Sequence, residues 1–164
     1  MASTLDATIG GANANTYVTL AEAETYFGDD PNRKAQWDAF SDIQKQQGLL
    51  LAGKHIERLE LRDAPRATEQ ALHFPTGTTV DRQGQAYIPV AVQYAQIEWA
   101  LSLLTRPPQE QIDRASLQAQ GVQAFSRAGI SERLAKGAGA PALPPEAYAY
   151  LKPWLGNNGR PVLR

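Results

Sequence analysis

The sequence predicts a mainly α protein: a small helical bundle around a central apolar helix at about 88–104, with a minor β-hairpin or short strands and extended arms. Three observations carry this expectation. Thr19-Leu-Ala-Glu22 and Ser41-Asp-Ile-Gln44 are capping boxes, in which each end residue satisfies a backbone N–H that the helix leaves free. Behind the second, Leu49, Ala52, Ile56 and Leu59 recur at helical spacing. Pro89 opens the most apolar stretch, and proline suits a first helical turn because its missing N–H is not needed there.

Residues 1–15 are small and polar, with Gly10-Gly11 and Ala/Asn repeats, and read as a flexible arm. A first helix follows Thr19 and runs to about Phe27, with Gly28 as its C′ residue. Asp29 to Asn32 is a turn, and a short helix around Arg33–Ala39 presents Trp37 and Phe40. The helix after Ser41 extends to about Leu59. Gly48 and Gly53 each weaken it by roughly 1 kcal/mol against alanine, which suggests close approach of a neighbour or simple tolerance.

Residues 62–87 read as irregular, punctuated by Pro65, Pro75, Gly77 and Gly84. Short strands at Thr76–Val80 and Gln85–Ile88 flank a turn at Asp81–Gly84. On the central helix, Val90, Tyr94, Ile97, Leu101 and Leu104 form one stripe, and Val92, Trp99 and Leu103 extend it; Pro107-Pro108 ends it. Ile112–Ala119 is helical or disordered. Gly121–Ser126 alternates like a strand, and Gly129-Ile130 turns it back toward Ser131–Leu134. Residues 137–145 form a small-residue and proline linker before a last helix, Glu146–Leu155. The organisation expected is an arm (1–15), a helical domain (16–136), and a linker, C-terminal helix and tail (137–164).

Composition narrows function. The 164 residues suffice for one domain with a real core. A net charge of −1 argues against a dedicated duplex-DNA binder, which carries a basic footprint. No cysteine is present, so thiolate chemistry and disulfides are excluded. The N-terminal residues lack the pattern of a signal peptide, and 88–104 is too short and polar to span a bilayer, so a soluble protein is expected.

Catalytic constellations are missing from the pattern. His55 lies beside the apolar stripe of its helix and reads as a packed helix residue. His73 shows no ligand spacing to any carboxylate pair. There is no GxSxG elbow and no Walker A loop. Asp29-Asp30 reads as a solvated turn. A non-enzymatic protein without cofactor or metal is expected.

Binding signals lie in the aromatics. Trp37, Phe40, Phe74, Tyr94 and Trp99 are explained by core packing. Tyr148, Tyr150 and Trp154 sit on a helix behind a linker, which docks on its own domain or on another protein. Arg58, Arg62 and Arg66 recur at four-residue intervals among Glu57, Glu60, Asp63 and Glu69, so intramolecular or intersubunit pairing is expected.

The order of several short segments resembles a family of phage proteins. The segments are Ala12–Phe27 leading to Trp37, Gly48–Glu57, Gln70–Gly77, Ile88–Ala100 and Leu143–Leu155, so the similarity covers about 13–155. Thr76 stands where that pattern has a basic residue, and Gly53 where it has threonine. Proteins of this type are labelled DnaT-like single-stranded DNA-binding proteins, and they also resemble head–tail connector (adaptor) proteins.

The connector resemblance implies a virion protein at the head–tail junction, made in the host cytoplasm. It would form a ring, dodecameric in that family, beneath the portal. It would extend the DNA channel without sequence recognition and dock the next neck, stopper or tail-completion protein. Under it, Tyr148, Tyr150, Leu151, Trp154 and Leu155 are candidates for portal docking. Arg58, Arg62, Arg66, Phe74 and Tyr87 are candidates for the subunit interface. The alternative is a single-stranded DNA-binding protein of phage replication, stacking bases on Trp37, Phe74, Tyr87 and Trp154, although no basic segment interleaves with them.

Overall fold

In the computed structural model, the described residues are 4–105, 124–127, 130–133 and 143–156. They form a mainly helical bundle, as expected. Its helices are α1 (Leu20–Phe27), α2 (Pro31–Asp38), α3 (Asp42–Glu57), α4 (Val90–Thr105) and α5 (Pro145–Leu151), the last followed by a 3-10 turn at Lys152–Trp154. Strands β1 (Ala124–Arg127) and β2 (Ile130–Arg133) pair antiparallel, with Ala124 opposite Arg133. This is the hairpin that the alternation at 121–126 and the turn at 129–130 foreshadow. The possible helix at 112–119, most of the 137–145 linker and the tail beyond Gly156 lie outside the described residues.

Local chemistry sets the helix starts. Both capping boxes form: Glu22 N–H donates to Thr19 and Glu22 caps the Thr19 N–H, and Ser41 and Gln44 do the same for α3. Asp30 is more than a solvated turn residue. Its carboxylate accepts from the N–H groups of Asn32 and Arg33, so it caps α2, with Pro31 in the first turn. Gly28 ends α1 as a C-cap in ordinary right-handed backbone (φ −56°) rather than as a left-handed C′ residue.

Helices α3 and α4 pack antiparallel and very closely. A Cβ on Gly48 would meet the Leu104 side chain at 3.0 Å, and one on Gly53 would meet Gln96 Nε2 at 3.0 Å. The glycines therefore serve close approach, not tolerance. Gln96 fills the gap: its Oε1 accepts from Tyr17 N–H at 2.9 Å, and its Nε2 donates to Thr16 Oγ1 at 2.9 Å and to Leu49 O at 2.8 Å.

The buried face of α4 differs from the predicted stripe. Val92, Ala95, Ile97, Trp99, Ala100 and Leu101 are buried, whereas Val90 and Tyr94 are 54% and 37% exposed. Helix α3 covers one side and α5 another, so burial follows two neighbours instead of one apolar line.

The expected N-terminal arm is, from residue 4 onward, a closed loop. Asn15 does this: its side chain accepts from Asp6 N–H and donates to Thr4 O, while its own N–H donates to Asp6 O. Ala71 N–H donates to Gly11 O and fastens the loop to the body. The 62–87 stretch is ordered, with Gly84 in left-handed backbone (φ +79°) at the predicted turn. Its pairing is reduced to single bridges, Val80 with Ala86 and Pro65 with Thr76, rather than full strands.

Gln96→Leu keeps the volume but strands the buried Tyr17 N–H. Urea unfolding of this variant is expected to show a loss of about 2–4 kcal/mol with an unchanged m-value.

Candidate nucleic-acid interface

Charge is distributed unevenly over the fold. In the helical half the cations are compensated. Arg33 pairs with buried Glu98 and lies 3.7 Å from Glu146. Lys34 pairs with Asp38 at 2.7 Å, and buried Lys45 pairs with Glu24 at 2.6 Å while lying over the Trp37 ring. The Asp38 carboxylate holds Lys34 above the ordinary lysine value. Burial and the bond to Glu98 push the Tyr26 phenol up strongly.

The end of α3, the 58–87 excursion and the 3-10 turn behave differently. Lys54, Arg58, Arg62, Arg66, Arg82 and Lys152 are all exposed. None of the six makes an ion pair among the described residues. Several carboxylates between them have structural duties. Glu57 accepts from the Tyr17 hydroxyl and from His73 N–H. Asp63 accepts from Thr78 Oγ1 at 2.9 Å. Asp81 accepts from Gln83 and Gln85 N–H at 2.9 and 2.8 Å, which shapes its turn. Glu60 and Glu69 remain exposed. Of the two pairings expected for Arg58, Arg62 and Arg66, the intramolecular one is not formed among the described residues, where Glu57, Asp63 and Asp81 accept hydrogen bonds within the fold.

Backbone contacts gather these segments. Arg62 N–H donates to Trp154 O at 2.8 Å, beside the Leu61–Leu155 bridge. Arg66 N–H donates to Pro75 O, and Tyr87 N–H donates to Thr79 O. Residues 61–66, 75–80, 86–87 and 154–155 therefore lie in successive contact. Two aromatics on them reach solvent. Tyr87 is 42% exposed. Trp154 is half-buried, with its ring edge-on to Phe74 at 5.5 Å.

Other predicted residues fall elsewhere. Phe74 is buried against Tyr17, His73 and Trp154, and Trp37 is fully buried, so neither is placed to stack a base or meet a subunit. Leu151 and Leu155 are fully buried in the chain's own core, which withdraws them from any docking surface. Tyr148 and Tyr150 are half-buried; Tyr150 packs on Tyr94, and Tyr26 joins them. The C-terminal helix docks on its own domain, the first of the two possibilities its sequence left open.

His73 bonds through Nε2 to Arg62 O at 3.0 Å. His55 stacks on Trp99 with ring centres 5.3 Å apart, and its buried Nδ1 has no hydrogen-bond partner. Among the described residues no three His, Cys, Asp or Glu side chains gather as a metal-binding group. No described helix is long and apolar enough to cross a membrane.

Fold and surface together define a small helical protein with uncompensated cations and exposed aromatics on one irregular region. Residues 1–162 match the family described as "Putative DnaT-like ssDNA binding protein", and the chain belongs to that family. No curated protein and no solved structure matches the chain. The family match corrects the connector reading: it points to single-stranded DNA, and no finding supports a virion ring, portal binding or neck partners.

Burial, aided by Arg58, lowers the His55 pKa below its ordinary 6.5. The unfolded chain then binds the proton more readily. Stability from this site is complete above about pH 6.5 and declines as pH falls toward the folded value. Replacing His55 with Gln is expected to flatten the fall of the thermal midpoint below about pH 6.5, as read by circular dichroism melts.

Proposed function

We propose that the chain binds single-stranded DNA without sequence preference through the surface around Arg58, Arg62 and Arg66, with Tyr87 and Trp154 as stacking platforms. The observation that carries this is the set of exposed cations left without ion pairs on a region that also exposes aromatics. Phosphates need unpaired cations, and bases offer their faces only when unpaired. The near-zero net charge does not oppose the reading, because Arg33, Lys34 and Lys45 are neutralised locally. Family membership supports the same ligand.

The test is fluorescence anisotropy of a labelled oligo-dT across a salt series. Affinity is expected to fall with salt, with a log–log slope of about −0.7 per neutralised phosphate. Combining Arg58→Gln, Arg62→Gln and Arg66→Gln should make that slope shallower by about 2. Tyr87→Ala should weaken binding by about 1–3 kcal/mol, the usual worth of a stacked base. Lys34→Gln, on the compensated side, should bind as the parent does. Equal slopes for the triple variant and the parent would sink the proposed surface.

A further inference from the structure

Helices α1 and α4 border an open groove of about 550 Å3. Its floor is apolar, formed by Val18, Ala21, Val90, Tyr94 and Ile97. Val90 and Tyr94 are exposed there, on a helix whose other apolar residues are mostly buried. Glu22 and Asp29 stand on the rim, and no Lys or Arg lines the groove. A second cleft of about 500 Å3 adjoins it, and Tyr26 and Asp29 line both. This one adds the carboxylates of Asp30, Glu98 and Glu146 and a single cation, Arg33.

Arg33 does not balance those acids. It pairs with Glu98 and lies 3.7 Å from Glu146 and 3.8 Å from Asp30. Glu22 and Asp29 make no ion pair among the described residues. Glu22 accepts from the Thr19 N–H and hydroxyl, which uses its geometry and leaves its charge. The joined clefts therefore carry excess negative charge over an apolar floor. Tyr94 stands between Tyr26 and Tyr150, with ring centres 4.6 Å and 5.6 Å away. Aromatic rings beside carboxylates suit an ammonium or guanidinium group.

These features decide among occupants. The rim repels the phosphates of DNA and anionic lipid headgroups. A free polyamine would leave the apolar floor unused. A peptide with apolar side chains flanked by Lys or Arg satisfies both floor and rim. Its length follows from α4. Val90, Tyr94 and Glu98 lie four residues apart on one face, about 12 Å from end to end at 1.5 Å per residue. That matches roughly two turns of a docked helix.

We infer that the α1–α4 groove docks a basic amphipathic segment of a partner protein. Its apolar side chains lie on Ala21, Val90 and Tyr94, and its cations face Asp29 and the acids of the adjoining cleft. This inference goes beyond the DNA-binding reading and does not rest on it.

The test is a titration of the full 15N-labelled chain with a synthetic peptide of about ten residues, leucines at helical spacing and lysines beside them. Amide resonances of Ala21, Asp29, Val90 and Tyr94 are expected to shift and saturate. Replacing the leucines with serine should weaken binding by about tenfold or more. Replacing the lysines with glutamate should abolish it. Both comparisons use the parent protein, so folding is not in question. Asp29→Lys, on an exposed turn, should weaken the leucine peptide by about threefold or more while the thermal midpoint stays put. Unmoved groove resonances would overturn the proposal. So would equal affinity for the serine peptide, which would mean a purely electrostatic contact, or groove shifts produced by oligo-dT. Groove resonances that move without peptide, on dilution or on Arg160→Glu with Arg164→Glu, would give the groove to a second copy or to the chain's own tail; either also overturns it.

Discussion

The Gln96 carboxamide is the contact on which the arrangement turns. A primary amide inside an apolar helix interface costs several kcal/mol unless its donors and acceptor are used. Here both ends are used. It fixes the segment entering α1 through Tyr17 and Thr16, and it fixes α3 through Leu49. The bonds also set the spacing between α3 and α4, because Gly53 offers no Cβ to push the amide away. Tyr17 extends the constraint outward. Its hydroxyl donates to Glu57 and accepts from Phe74 N–H, which ties the end of α3 to the 58–87 excursion. The order of that excursion therefore traces back to one buried polar side chain and its neighbours.

That network has an electrostatic by-product. Glu57 sits among the arginines, but the Tyr17 hydroxyl and the His73 N–H hold its two oxygens. Asp63 and Asp81 are similarly engaged in shaping turns. Across the molecule, Glu24, Asp38 and Glu98 pair with Lys45, Lys34 and Arg33. One fold thus separates paired from unpaired charge at a net charge near zero.

Features that depend on three or four successive residues were legible in the sequence. The capping boxes at Thr19 and Ser41, the Pro89 start of α4 and the pairing of β1 with β2 are of this kind. The buried face of α4 was not, because a stripe rule assumes one packing partner and α4 has two. Gln96 was hidden for the same reason: a glutamine in an apolar helix reads as an interruption, and its partners lie 47 to 80 residues away. The loop at 4–15 was misread because Gly and Asn signal flexibility by composition, while a single Asn15 side chain closes the ring of hydrogen bonds. The arginine triplet was visible, but its freedom from pairing was not. That depends on Glu57 meeting a tyrosine 40 residues earlier.

Global charge is consequently a poor guide to what this surface binds. Screening limits the reach of an exposed charge to about 10 Å at ordinary ionic strength, so a ligand responds to its immediate surroundings. Around Arg62, the exposed cations Arg58, Arg66 and Lys152 make no ion pair among the described residues, although Glu60 and Asp63 stand beside them in the chain. The groove beside Tyr94 is lined by Glu22 and Asp29 and by no Lys or Arg. The same near-zero net charge therefore covers a region of unpaired cations and a groove rimmed by acids. Burial separates the aromatics in the same way: Trp37 and Phe74 are spent on the core, while Tyr87, Tyr94 and Trp154 stay within reach of solvent.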